Sequence, residues 1–248
     1  MPIKRTKIAT YKFDAPLPGP PMILFSDLHL YGKKNSSISV FPEAVEHLFT
    51  LLKKYQSRGY ELYGLGDILE GWRFNAKQIL KQHPDFMWLI TRHVHIIRGN
   101  HDWDAWKKIQ AQFGKETYEF LQVGPIFMSH GHEADPMNKH HAWYSRYATK
   151  FAGVLKRAGL DMDALHRRVR TRHKDKLKEI YRTHSLRLQH TIAKGATIFC
   201  FGHLHMPYLD TTDPNCVVVN LGSIANYQRA FSYVEITERE LILWKIEL

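Results

Sequence analysis

Asp27 and His29 in "SDLHL", Asp67 in "GDILEGW", Asn100 and His101 in "RGNHD", His130 and His132 in "SHGH", and His203 and His205 in "GHLH" are residue types that bind metals and move protons. Taken singly, each has an ordinary explanation. Asp or Asn beside Gly after a strand is turn chemistry, and a lone His is packed or solvated. The i, i+2 pairs are more specific, because such side chains share a face in an extended segment. Asp27, His29, Asp67, Asn100, His130, His203 and His205 together offer oxygen and imidazole nitrogen without thiolate, a set suited to Mn²⁺, Fe or Zn²⁺. That is too many donors for one first-row ion. Two divalent ions about 3.5 to 4 Å apart and sharing one carboxylate would use them all. Such a pair clamps an in-line displacement at phosphorus and turns a bound water into the nucleophile near neutral pH. His101, beside the neutral ligand Asn100, is then expected as proton donor or transition-state stabiliser.

Each group directly follows an apolar run: Met22 to Phe25, Leu62 to Leu65, Val94 to Ile97, Ile126 to Met128 and Thr197 to Phe201, with Val217 to Val219 as a sixth run. Helical patterns separate the first three. In Pro42 to Arg58, Val45, Leu48, Phe49, Leu52 and Tyr55 fall on one face, with Gly59 as the expected stop. This alternation implies βαβ units and a largely parallel or mixed sheet. In an open sheet of that kind the five turns would meet in a crevice beyond the strands' carboxyl ends. Gly66, Gly99, Gly131 and Gly202 permit the turns. The ending "YVEITERELILWKIEL" predicts a hairpin and an antiparallel portion.

With 248 residues, 44% of them hydrophobic, the chain is long enough to bury a sizeable core. The two cysteines, Cys200 and Cys216, lie in different apolar runs and indicate neither a disulfide framework nor a thiolate zinc site. The N-terminus shows no secretory-type apolar segment, and no window approaches the roughly 18 apolar residues of a membrane span. A cytoplasmic protein is expected. The net charge of +11 is concentrated between Pro136 and Lys194, where 15 Lys or Arg face 4 Asp or Glu. That segment has helical patterns and no strand-like run, so 136–194 reads as a helical insertion in a single α/β domain spanning 1–248.

The five blocks resemble those of the calcineurin-like metallophosphoesterase superfamily, in order, over residues 22 to 206. The resemblance implies a two-sheet β-sandwich flanked by helices. It implies Asp27, His29 and His205 on one metal, Asn100, His130 and His203 on the other, and Asp67 bridging. It also implies His101 as the catalytic histidine, oriented by Asp102. More narrowly, "GDILEGW", through Glu70 and Trp72, and the basic helical insert are similar to the UDP-2,3-diacylglucosamine pyrophosphohydrolase group. That group commonly has Arg where this chain has His101, and Asp where it has His132.

In the insert, Trp143, Tyr147, Phe151 and Val154 or Leu155 form an apolar stripe at helical spacing. It either packs onto Leu177, Ile180, Tyr181 and Leu188 as a helical hairpin, or receives a lipid tail as a substrate lid. In the second case Arg146, Lys150, Arg157 and the run Arg167 to Arg172 would hold phosphate or an anionic membrane surface. The expected function is a dinuclear, metal-dependent phosphoesterase with Mn²⁺ the first expectation and Fe or Zn²⁺ the alternatives. Its expected substrate is a phosphodiester or a nucleotide-linked, lipid-bearing pyrophosphate of the UDP-2,3-diacylglucosamine kind. The alternatives are a nucleotide or nucleic-acid phosphodiesterase and a non-catalytic protein that binds anionic membranes or RNA. No nucleic-acid module accompanies the charge.

Overall fold

Met22 to Phe25 alternate between two covered faces of one strand. Met22 and Leu24 point into one apolar cluster and Ile23 and Phe25 into another. A strand buried on both sides reads as a continuous apolar run. The same holds for Ile126–Ser129, Ile198–Phe201 and Val217–Asn220, while Val94–Ile97 is buried except at His95. The computed structural model describes residues 4–32, 42–135, 172–224 and 230–248.

The elements are β1 (Lys4–Lys12), β2 (Met22–Phe25), α1 (Pro42–Gln56), β3 (Glu61–Leu65), α2 (Ala76–Gln82), α3 (Pro84–His93), β4 (Val94–Ile97), α4 (Trp103–Phe113), β5 (Thr117–Tyr118) and β6 (Phe120–Val123). They continue with β7 (Ile126–Ser129), a 3₁₀ turn (His132–Ala134), α5 (Lys174–Thr191), β8 (Ile198–Phe201), β9 (Tyr208–Asp210), β10 (Val217–Asn220), β11 (Ala230–Ile236) and β12 (Glu240–Glu247). One sheet has the order β1-β12-β11-β2-β3-β4-β5 and the other β6-β7-β8-β10-β9. Strands β2, β3, β4 and β5 run parallel, as do β7, β8 and β10. The expected hairpin is β11–β12, with Ile236 opposite Leu241.

The two sheets pack face to face. Leu24, Tyr63, Leu65 and Ile97 from the first meet Met128, Ile198, Cys200 and Val219 from the second. The outer face of the first sheet is covered by the helices, with Leu48, Leu52, Ile90, Trp106 and Ile109 in one cluster. The outer face of the second is covered by α5, whose Tyr181 is buried against Phe201. The architecture is the expected two-sheet sandwich flanked by helices. One expectation changes: the five residue-bearing turns do not leave a single sheet. Three follow β2, β3 and β4 and two follow β7 and β8, so the crevice lies where the carboxyl ends of both sheets meet.

Helix α1 ends at Gln56 rather than Arg58, and Gly59 takes the left-handed conformation (φ 82°) that closes it. Of the expected insertion, Lys174–Thr191 is helical as α5. The stripe Trp143, Tyr147, Phe151, Val154 and Leu155, and most of the basic rim, lie outside the described residues.

Candidate metal centre

Among the described residues, five non-glycine residues have positive φ: Asp27 (54°), His29 (46°), Asp67 (50°), His203 (65°) and His205 (56°). A left-handed backbone is costly for such residues and persists only where its surroundings impose it. All five are sequence-predicted ligands. Their strain is imposed by the loops. The Asp27 amide donates to the Gly66 carbonyl and the His29 amide to that of Asp67, which ties the turn after β2 to the turn after β3. The Ser223 hydroxyl donates to the Asp27 carbonyl (2.9 Å), and the Asn220 side chain, through Nδ2, to that of Gly202 (2.5 Å).

The conformations bring all seven predicted ligands together in two sets. In the first, Asp27 Oδ1 lies 3.1 Å from His205 Nε2, and His29 Nε2 lies 3.3 Å from the same nitrogen. In the second, Asp67, His130 and His203 bring one ligand atom each to within 4.8 Å of the others. Asn100 Oδ1 lies 3.1 Å from His130 Nε2. Asp67 stands between the sets, its Oδ2 at 3.2 Å from His130 Nε2 and 4.0 Å from His29 Nε2. His132 belongs to neither set.

The turn after β3 needs close backbone approach on one side. A Cβ on Gly99 would stand 2.1 Å from Asp67 Oδ1 and 2.3 Å from the Asp67 amide nitrogen. Only glycine lets these two turns touch.

The orientation of His101 differs from expectation. Asp102 is fully buried, but its carboxylate accepts from the amides of Gly99 (2.8 Å) and Ile68 (2.8 Å) and so braces the loops. The carboxylate facing His101 is Glu70. Its Oε1 is 3.2 Å from His101 Nδ1, and its Oε2 is 3.2 Å from His29 Nδ1. One buried side chain therefore hydrogen-bonds the outer nitrogen of His101 and lies beside that of His29, and His101 Nε2 lies 4.0 Å from Asp67 Oδ2. Trp72 stacks on His101 with ring centroids 3.6 Å apart. The sequence motif contained Glu70 and Trp72 but gave them no role. Their contacts with His101, a turn away after another strand, are not readable from spacing.

The electrostatics fit a cation-binding centre. Asp27, Asp67, Glu70 and Asp102 are all buried within a few ångströms of one another's partners. Clustered buried carboxylates require positive compensation. Burial opposes ionisation of Asp27, yet the facing His205 holds its carboxyl down at about 2. Burial likewise opposes ionisation of Asp67, but His130, His101 and His29 hold it well below the carboxylate range. Burial would lower His29 and His130; Glu70, Asp67 and Asp27 lift His29 to about 9, and Asp67 and Asp27 lift His130 to about 10. Burial and the neighbouring Asp67 charge raise Asp102 to about 6. The buried carboxylates thus form a negative site that divalent cations would neutralise. Asp27 Oδ1, moreover, is buried without a hydrogen bond, although a ring nitrogen is close by. Converging ligand atoms made of oxygen and imidazole donors alone fit hard-to-borderline divalent cations.

Residues 21–239 match the family model described as "Calcineurin-like phosphoesterase superfamily domain". A search of curated proteins gave no match. Among solved structures the chain is similar to a dimetal phosphatase from Danio rerio (13% identity, TM-score 0.48, covering 92% of this chain and 95% of that one). It is also similar to a novel archaeal phosphodiesterase (12% identity, TM-score 0.43, 90% and 99%). A metallophosphoesterase from Sphaerobacter thermophilus is a third (11% identity, TM-score 0.40, 90% and 87%).

Proposed function

As a member of the calcineurin-like phosphoesterase superfamily the chain is a metal-dependent phosphoester hydrolase, and we propose that it uses two divalent ions, Mn²⁺ first, to cleave a phosphodiester or pyrophosphate bond. The observation that carries this reading is the pair of ligand sets meeting at Asp67, with His101 at their edge. Asp27, His29 and His205 would hold one ion, Asn100, His130 and His203 the other, and Asp67 both. When bound, the ions supply an activated water and neutralise charge at phosphorus.

The chain's own part is positioning and proton transfer. Glu70 accepts from His101 Nδ1, which leaves Nε2 turned toward the centre, where the imidazolium form hands its proton to the departing oxygen. The Trp72 stack limits rotation of that ring. The neighbouring motif "GDILEGW" and the basic segment from Pro136 to Lys194 support a nucleotide-linked, lipid-bearing pyrophosphate of the UDP-2,3-diacylglucosamine kind as the substrate. The same basic segment supports peripheral contact with an anionic membrane from the cytoplasmic side. Among the described residues no helix is long and apolar enough to cross a membrane.

The test is turnover of a small diester, a monoester and a UDP-sugar lipid pyrophosphate by the Mn²⁺-loaded protein, together with its metal content. Asp67→Ala should abolish hydrolysis of all three while the chain stays folded, because it removes the shared ligand. A wild-type protein that binds no divalent ion would overturn the reading. Preference for the diester over the lipid-linked pyrophosphate would replace the substrate and keep the chemistry.

A further inference from the structure

Three imidazoles of the centre, His29, His101 and His130, turn the nitrogen facing away from the ligand sets to an acceptor. His130 Nδ1 lies 2.8 Å from the Leu65 carbonyl. His29 and His101 turn their Nδ1 atoms to Glu70, each at 3.2 Å. An imidazole whose one N–H is so held keeps its lone pair on the other nitrogen, and the acceptor fixes both tautomer and ring angle.

His203 does the same through a residue that neither motif spacing nor the family blocks single out. The chain leaves His130, passes Gly131 and makes one 3₁₀ turn over His132–Ala134, which returns Asp135 to the edge of the centre. There Asp135 Oδ2 stands 3.1 Å from His203 Nε2. The His203 ring is buried, with 6% of its side chain exposed, while the Asp135 side chain is 24% exposed. The His203 backbone is also pinned, at φ 65° and with its amide donating to Asp27 Oδ2 (2.9 Å). The ring is thus held at its root and at its far nitrogen. The polarity is reversed relative to its neighbours: here the held nitrogen is Nε2.

We propose that Asp135 is a positioning residue of the second ligand set, accepting Nε2–H of His203 and so committing Nδ1 of that ring to the metal. This rests on the two-ion reading above and deepens it. The carboxylate would also raise the basicity of the ligating nitrogen, an effect whose loss typically costs on the order of 10 to 100-fold in metal affinity. Asp135→Asn is the informative change, since an amide can offer its own N–H to Nε2 and favour the wrong tautomer.

The experiment has two readouts besides activity, both on the full chain. Calorimetric titration with Zn²⁺ should show two ions on the wild type. On Asp135→Asn one of the two should bind about 10 to 100-fold more weakly and the other unchanged, with the melting temperature preserved. Imidazole ¹⁵N NMR of the Zn²⁺-loaded wild type should show His203 protonated at Nε2 and metal-shifted at Nδ1. A wild type that binds two ions and an Asp135→Asn variant that binds both as tightly would overturn the proposal and leave the two-ion reading standing. Metal-shifted Nε2 on His203 would do the same, and needs no variant. A wild type that binds no Zn²⁺ or Mn²⁺ would sink both.

Discussion

At the scale of single residues, Glu70 and His101 make separable predictions because Glu70 touches two rings and His101 none of the ligands' outer nitrogens. His101→Asn should lower turnover by on the order of 10² to 10⁴, the usual contribution of a proton donor, with metal content unchanged. Glu70→Gln should lower turnover too, but it also releases His29 Nδ1, so the affinity of one ion should fall by about 10 to 100-fold. Metal titration beside kinetics checks both. If Glu70→Gln slows the reaction yet leaves both ions bound as tightly as before, the brace on His29 is idle. If His101→Asn loses metal in proportion to activity, His101 is a ligand. Residue types and order singled out the seven candidate ligands and His101, which the fold brings to one crevice. The partners were not, because Glu70, Asp102 and Asp135 act on groups from other strands: Asp102 sits next to His101 in sequence and yet faces the amides of Gly99 and Ile68. Nor does any composition rule announce the left-handed backbone at Asp27, His29, Asp67, His203 and His205.

At the scale of elements, burial decided which strands could be read. β2, β3, β7, β8 and β10 are covered on both faces and appear as apolar runs, and β4 does so except at the exposed His95. β1 carries the polar sequence "KRTKIATYK" on a sheet edge, with its first five residues exposed, so it gives no such run. β5 and β9 are too short for a pattern. The turns between elements carry the next prediction. Gly99→Ala should drive Asp67 out of place, since its Cβ meets both the carboxylate and the backbone nitrogen, and neither is the free end of a flexible side chain. Overpacking of this kind costs about 1 to 3 kcal/mol, and a chain of this size loses roughly 2 to 4 °C of Tm per kcal/mol. Metal binding should weaken alongside. Gly195→Ala is the control: its strain would come from the backbone, which has positive φ (76°), and nothing lies within 4 Å of a new Cβ, whereas at Gly99 the strain comes from the contact itself. It should cost a similar amount of stability and leave metal affinity intact. Equal metal affinity in the two variants would show that the contact between the turns does not set the position of Asp67.

At the scale of the whole molecule, the described part of the basic segment, α5, can be separated from the stretch 136–171 by experiment. α5 belongs to the fold: Tyr181 is fully buried and its hydroxyl donates to the Gly131 carbonyl at 2.8 Å, in the turn that carries His130. Leu177, Ile180 and Leu188, expected to form one side of a helical hairpin, pack against the cluster built on Phe199 and Phe201, and the other side of that hairpin lies outside the described residues. Removing 136–194 entire would therefore disturb the metal centre and could not distinguish lid from scaffold. Replacing only 136–171 with a flexible linker keeps α5 and still deletes 8 Lys or Arg against 2 Asp or Glu. If that stretch binds the remote part of a large substrate, kcat/KM for a small diester should hold while that for a lipid-linked pyrophosphate collapses, since remote binding energy is what the deletion removes. Within the intact chain, Phe151→Asp should harm only the lipid-bearing substrate. Arg157→Ala should weaken its binding most at low salt, because screening shortens the reach of a surface charge to about 8 Å at physiological ionic strength. Tyr181→Phe should act oppositely, lowering Tm and depressing both substrates alike through the His130 turn. A linker variant that loses equal efficiency on small and lipid-linked substrates would assign 136–171 to stability, and the selectivity of the enzyme would then have to reside in the walls of the crevice itself.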